Sequence, residues 1–311
     1  METYLQTLPH GITLSCRAAG ERGRPVLVFL HGFPEGAFVW DVLLEHFAKP
    51  ENGAYRCVAP NLRGFEKSSA PADVKDYRPK HLVQDIAALI AIETARQGGQ
   101  LAALVAHDWG GAVAWNLANQ MPHLARQLVI INSPHPGTFL RDLKGSPKQQ
   151  AASAYMNFLI RPEAEGLLAA DDYRLLWQFL VNTDPSDPEE AGRALAKPAW
   201  LSHDVKAQYR SVWDAGLSGG CNLYRASPLR PPTPDDPGVA TLDLPHDMLT
   251  IKLPTLVIWG LQDTALPAEL IDGLDGYIPR LTLKTVPGAS HWIVHEDPAL
   301  VIRLMTGFLG T

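Results

Sequence analysis

Residues 104–115 read LVAHDWGGAVAW: a short apolar run ends in a carboxylate, Asp108, and a Trp, two glycines and a small-residue helical pattern follow at once. The five residues from Ala106 to Gly110 have the form of G-x-S-x-G with two changes. In that motif a strained strand-to-helix turn pushes the central side chain into the open, and small neighbours make room for it. Ala106 replaces the first Gly, a modest departure. Asp108 replaces Ser, and this matters more. A Ser must lose its proton before it attacks, whereas a carboxylate is already an anion at pH 7 and can displace a leaving group at carbon. An Asp at this point also serves as an ordinary N-cap, and the helix N-terminus favours a carboxylate in either role.

Two further stretches carry matching chemistry. FLHGFPEGAFVW (29–40) follows an earlier strand. In α/β-hydrolase architecture such a loop supplies one oxyanion amide and the residue after the nucleophile supplies the other; the amides of Phe33 and Trp109 fill those places. WGLQDTALP (259–267) sets Asp263 after one strand, and VPGASHWIVHEDP (286–298) sets His291 after the next. The chain order is nucleophile, acid, His, as this architecture requires. The competing acid position, at the end of the strand 127–132, carries Asn132. His107, His135 and His295 read as structural or surface histidines.

These side chains need a sheet to hold them. PVLVFL (25–30), YRCVAP (55–60), LAALVA (101–106) and QLVIIN (127–132) are continuous apolar runs, as expected of strands buried on both faces. KHLVQDIAALIAIETARQ (80–97) keeps a helical period between them. Strands alternating with helices imply βαβ units and a mostly parallel sheet. From about residue 135 the character changes. QQAASAYMNFLI, YRLLWQFLV and VKAQYRSVWDAGL are amphipathic helices without strands among them, and the Pro-rich 227–245 can be neither helix nor central strand. PTLVIWG (254–260) and LTLKTVPG (281–288) resume the strands, and PALVIRLMTGFL (298–309) is a closing helix. The division predicted is a core of 1–134 and 251–311, interrupted by a helical cap over 135–250.

Composition bounds the rest. With 311 residues, 46% hydrophobic and a net charge of −6, the chain can build a large core and has no basic stripe for nucleic acid. Three cysteines, widely spaced and odd in number, suggest a reducing compartment. The N-terminus lacks a signal-peptide pattern, and no apolar run approaches the ~20 residues of a membrane span. A soluble cytoplasmic protein is therefore expected. The histidines lack metal-ligand spacing, and RGFEKSS (63–69) lacks the spacing of a phosphate loop, so neither metal nor nucleotide is expected.

With these pieces in order, the chain resembles the α/β-hydrolase-fold epoxide hydrolases with an Asp nucleophile, cousins of the haloalkane dehalogenases. HGFPE, NLRGFEKSSAP, HDWGGAVAW, SPHPGTFLR, WGLQD and GASHW match in order over nearly the whole chain. The resemblance implies an α/β-hydrolase fold with an eight-stranded, mostly parallel sheet, flanking helices and an inserted cap. It implies no cofactor, a small apolar epoxide and water as reactants, and a homodimer as an open option. The epoxide would become a vicinal diol through an ester on Asp108, hydrolysed by water that His291 activates with Asp263. SAYMNFLIRPEAEG and GCNLYRASPL look like the family's cap segments, which makes Tyr155 and Tyr224 the donors to the epoxide oxygen. His31, Trp40, Trp109, Met156, Leu159, Trp177 and Trp292 are the expected substrate contacts. Two alternatives stay open: a haloalkane or haloacid dehalogenase on the same scaffold, with Trp109 holding halide, and a non-catalytic binding homologue. A carboxylate-bearing substrate is disfavoured, because the residue after Asp108 is Trp rather than Arg.

Overall fold

The computed structural model describes residues 1–181 and 198–310. Eight strands form one sheet: β1 (Glu2–Thr7), β2 (Thr13–Ala19), β3 (Val26–Leu30), β4 (Arg56–Pro60), β5 (Leu101–His107), β6 (Ala125–Ile131), β7 (Thr255–Gly260) and β8 (Leu281–Val286). Their order is β1-β2-β4-β3-β5-β6-β7-β8, so the sheet grows outward in both directions from β3. β2 runs antiparallel to β1 and β4, and every other pairing is parallel. This is the α/β-hydrolase arrangement that the motif order implies. β3, β4 and β7 are buried along their whole length, which accounts for their unbroken apolar runs. The β1–β2 hairpin escapes the sequence pattern because β1 is a half-exposed edge strand whose outer face mixes polar residues with exposed Leu5.

Six further segments complete the core. α1 (Asp41–Phe47), α2 (Pro79–Glu93) and α3 (Asp108–Gln120) precede the insertion. α2 stops short of the predicted residue 97: Thr94 turns its hydroxyl back onto the Ile90 carbonyl at 2.6 Å, and Gly98 and Gly99 take positive φ. Between β6 and β7 the chain leaves the sheet for α4 (Pro136–Gly145), α5 (Pro147–Ala152), α6 (Ala154–Leu159), α7 (Ala164–Leu180), α8 (His203–Asp214) and α9 (Ser218–Ala226). The single helix expected over 149–160 is two, broken at Ser153. α7 is also broken, since Asp171, Asp172 and Tyr173 all take positive φ. The core resumes with α10 (Leu274–Tyr277), α11 (Ile293–Glu296) and α12 (Pro298–Leu309).

The departure and return of the insertion lie side by side. Buried His135 donates from Nε2 to the Leu249 carbonyl at 2.9 Å and accepts from the Gly137 amide at Nδ1. Burial pushes its pKa down to about 4, so the ring stays neutral and can do both. Asn119 of α3 adds a bond to the Thr250 carbonyl at 3.1 Å. Among the described residues no helix is long and apolar enough to cross a membrane.

Candidate active site

Asp108 opens α3 at the end of β5, with φ of +48°. A non-glycine residue held there stores strain of about 1–3 kcal/mol, so its surroundings must enforce it. They do so by close approach. A Cβ on Gly110 would run into the Leu30 carbonyl, and one on Gly32 into the Asp108 side chain itself. The Ser133 hydroxyl donates to the Asp108 carbonyl at 2.6 Å and fixes the turn from the β6 side. The side chain is thereby delivered to the end of the sheet, where the Phe33 amide donates to its Oδ1 at 2.7 Å. The Trp109 amide is the next along the chain, in the first turn of α3.

His291 stands on the other side of this carboxylate, its Nε2 3.7 Å from Asp108 Oδ2. Its Nδ1 lies 2.7 Å from Asp263 Oδ2, so Nδ1 carries a proton and Nε2 faces Asp108. Asp263 is itself fully engaged. It accepts from Asn132 Nδ2 at 2.7 Å and from the amides of Ala265 and Leu266 at 3.0 and 2.8 Å. Burial alone pushes the His291 imidazole down; Asp263, Asp108 and Glu35 together outweigh it and lift the pKa to about 9.

The insertion roofs this site. The Tyr224 ring stands edge-on to Phe33 at 5.4 Å, to Trp109 at 5.0 Å and to Tyr155 at 5.9 Å. Tyr155 also packs on Phe179 at 5.3 Å. Burial, followed by neighbouring charge that includes Asp108, raises both phenols, so each hydroxyl keeps its proton. They are donors, not bases.

The expected substrate contacts divide. Trp109 lies with this group of rings, Met156 is buried on α6, the helix that carries Tyr155, and Trp292 stands edge-on to His291 at 4.7 Å. Four need correction. His31 is fully buried, with Nδ1 bonded to the Gly32 carbonyl and Nε2 accepting from the Leu62 amide, so it holds loops together and has nothing left for a ligand. Trp40 and Leu159 are 0% exposed, so neither borders any space that admits even a water, and Trp40 packs on Phe29 in the core. Trp177 faces the wrong way. Its ring lies against Trp213 at 4.4 Å with Lys206 and Arg210 over its faces, while Phe179, two residues on and therefore across the helix, meets Tyr155.

Several residues had no functional reading in the sequence. Asn132 is an orienter of the acid rather than an empty alternative. His107 and His295 are neither superficial nor isolated: the His107 ring centre is 4.6 Å from that of His291. Glu35 joins both histidines. Its place in HGFPE was the available signal. Among the described residues no group of three or more His, Cys, Asp or Glu side chains is arranged to hold a metal.

A family profile described as the alpha/beta hydrolase fold matches residues 25–298. The chain belongs to that family. Within it, the chain is 32% identical to the AB hydrolase superfamily protein YfhM of Bacillus subtilis, over 96% of this chain and 95% of the relative. It is 31% identical to Epoxide hydrolase 4 of Mus musculus, over 98% of this chain and 79% of the relative. The crystal structure of the Bacillus megaterium epoxide hydrolase in complex with an inhibitor superposes with a TM-score of 0.84 at 28% identity, covering 99% of this chain and all of that one. This alpha/beta hydrolase is epoxide hydrolase-like in sequence and in fold.

Proposed function

We propose that the chain is an epoxide hydrolase that converts a small apolar epoxide and water into a vicinal diol without a cofactor. The observation that carries the reading is one arrangement: Asp108 held at the elbow, His291–Asp263 on one side, and two protonated phenols, Tyr155 and Tyr224, above it on the insertion. In the first step Asp108 attacks an epoxide carbon, the C–O bond breaks, and the departing oxygen takes a proton from a phenol. The product is a hydroxyalkyl ester on Asp108. Forming that ester removes the aspartate's negative charge, and with it one of the interactions that lift His291. The imidazole then gives up its proton, the phenolate regains the one it passed to the epoxide oxygen, and His291 is left a free base.

In the second step His291 takes a proton from water, and the hydroxide adds to the ester carbonyl. The Phe33 amide already touches Asp108 Oδ1 and can hold the resulting oxyanion together with the Trp109 amide. Collapse releases the diol and restores the carboxylate. A lone halide needs no proton, so the pair of phenol donors supports the epoxide rather than the haloalkane.

The test is one panel of racemic epoxides, including styrene oxide, beside one panel of bromoalkanes. Epoxide turnover that Asp108→Asn abolishes is expected, with intact-protein mass spectrometry of His291→Gln showing one substrate mass added at Asp108. Halide release without diol formation would reassign the site as a dehalogenase. Undiminished hydrolysis by Asp108→Ala would overturn the covalent route.

A further inference from the structure

Tyr224 is followed on α9 by Arg225, a side chain that the two steps above do not use. It is 16% exposed, and its guanidinium is fully occupied. Nε donates to the Ile160 carbonyl at 3.3 Å. Nη1 donates to Glu165 Oε1 and, at 3.1 Å, to Asn222 Oδ1. Nη2 donates to the Arg161 carbonyl at 2.6 Å and to Glu165 Oε2 at 2.8 Å. A guanidinium has five N–H groups fixed in one plane, so each of them is spent. The same contacts hold the Glu165 carboxyl below its usual range and keep the pair charged.

These acceptors belong to three elements. Ile160 and Arg161 lie at the C-terminal end of α6, where helix carbonyls lack partners and a cation is favoured. Glu165 stands in the first turn of α7, and Asn222 on α9 itself. α6 carries Tyr155 and has six residues, too few to be held in place by its own hydrogen bonds. On α9, neighbouring side chains point about 100° apart. Tyr224 therefore turns to Phe33 and Trp109 while Arg225 turns to the end of α6.

The other end of α9 is pressed against the core. A Cβ on Gly219 would stand 2.2 Å from the Gly64 carbonyl oxygen, and one on Gly220 would stand 2.6 Å from the Phe33 ring. The start of α9 thus rests on the loop after β4, and its last turn reaches across to α6.

We propose that Arg225 is a positioning residue for the phenol pair: by clamping the end of α6 to α9 it sets the spacing at which Tyr155 and Tyr224 converge on one oxygen. It rests on the reading of the two phenols as donors to the epoxide. Two hydroxyls serve one oxygen only if both come within ~3 Å of it. The ring centres stand 5.9 Å apart with the clamp in place. A displacement of ~1 Å costs on the order of 10²-fold in rate. The spacing matters only while the epoxide oxygen departs. Ester hydrolysis uses His291, Asp263 and the Phe33 and Trp109 amides, whereas all five bonds of Arg225 go to the chain between β6 and β7. Lysine cannot replace the clamp, because one ammonium group does not span two carbonyls and a carboxylate.

The experiment is a rapid-mixing single-turnover comparison on the full chain with styrene oxide, which reads ester formation and ester hydrolysis separately. Arg225→Lys keeps the charge and is the deciding variant; Arg225→Gln is the second. Each should slow ester formation by about 30-fold and change ester hydrolysis by less than about threefold. Tyr155→Phe has no pair left to space, so adding Arg225→Lys to it should slow ester formation by less than about twofold. A merely structural role would instead give the same loss in both backgrounds. Equal slowing of both steps, unaltered ester formation in Arg225→Lys, or the full loss repeated in Tyr155→Phe would overturn the proposal and leave the phenol reading intact. Wild-type ester formation in both Tyr155→Phe and Tyr224→Phe would end the phenol reading and the proposal with it. Should both arginine variants fail to fold, Glu165→Gln decides by the same comparison of steps, with ester formation alone slowed by about fivefold expected and equal slowing of both steps overturning the proposal.

Discussion

At the scale of single residues, the site is governed by where protons are held. His291 keeps its proton up to about 9 in the folded chain, against 6.5 for an ordinary histidine. Between those values the folded chain binds a proton that the unfolded chain has released. This contribution to stability is fully present below pH 6.5 and is lost as pH rises through about 9. Its size is about 3 kcal/mol at most. The denaturant midpoint should therefore fall between pH 6.5 and 9.5, and fall less in His291→Gln; parallel slopes would show that the neighbours do not lift this group. The phenols give a second expectation. Tyr155→Phe and Tyr224→Phe should each slow ester formation by about 100-fold, with ester hydrolysis nearly unchanged, as stopped-flow fluorescence of the site tryptophans would report. The positions of Asp108, Asp263 and His291 were legible because each follows a strand and their order is diagnostic. Tyr155 and Tyr224 were legible only through resemblance, since an amphipathic helix offers many tyrosines the same plain packing role. The Glu35–His107 contact spans 72 residues and the His107–His291 contact 184, distances over which no local pattern carries information.

At the scale of elements, the sequence favoured what is periodic and hid what is broken. The buried parallel strands were plain because continuous apolar runs have few other uses. The hairpin β1–β2 and the break at Ser153 were not, because an edge strand alternates weakly and a one-residue interruption barely disturbs a helical period. The break in α7 had a direct effect on the site. Asp171, Asp172 and Tyr173 turn the helix through left-handed geometry, and Asp172 pairs with Arg210 of α8 to keep it there. The second half of α7 thus turns Phe179 to Tyr155 and Trp177 to the rings of α8. Phe179→Ala should raise KM by about tenfold, since it removes the ring that backs the Tyr155 phenol. Trp177→Ala should leave kcat and KM within about threefold and lower stability by about 2–4 kcal/mol, the cost of emptying a partly buried aromatic site. Steady-state kinetics and urea melts of the two variants check both statements, and a larger kinetic effect from Trp177 would restore it as a substrate contact.

At the scale of the whole molecule, the sheet positions Asp108, Asp263 and His291, and the chain between β6 and β7 supplies Tyr155, Tyr224 and the Tyr209 hydroxyl that donates to Glu35. The change from alternating strands and helices to helices alone was legible. How the two parts meet was not, because it depends on side chains such as Trp213 and Tyr209 whose partners lie far away in the chain. The stretch is also tied to the core away from His135: Arg141 donates to the Asp272 and Glu269 carbonyls, and Gln149 to that of Ala265. His135→Ala removes the ring that ties the departing chain to the Leu249 carbonyl and should expose the insertion to limited proteolysis while the sheet keeps its melting cooperativity. Unchanged cleavage would show that the remaining contacts suffice. Both ends of the detour between β6 and β7 are gathered at one neutral imidazole, that of His135. A relative's stretch transplanted between the same two anchor points would exchange Tyr155, Phe179, Tyr209 and Tyr224 together, while Asp108, Asp263 and His291 stay in place on the sheet.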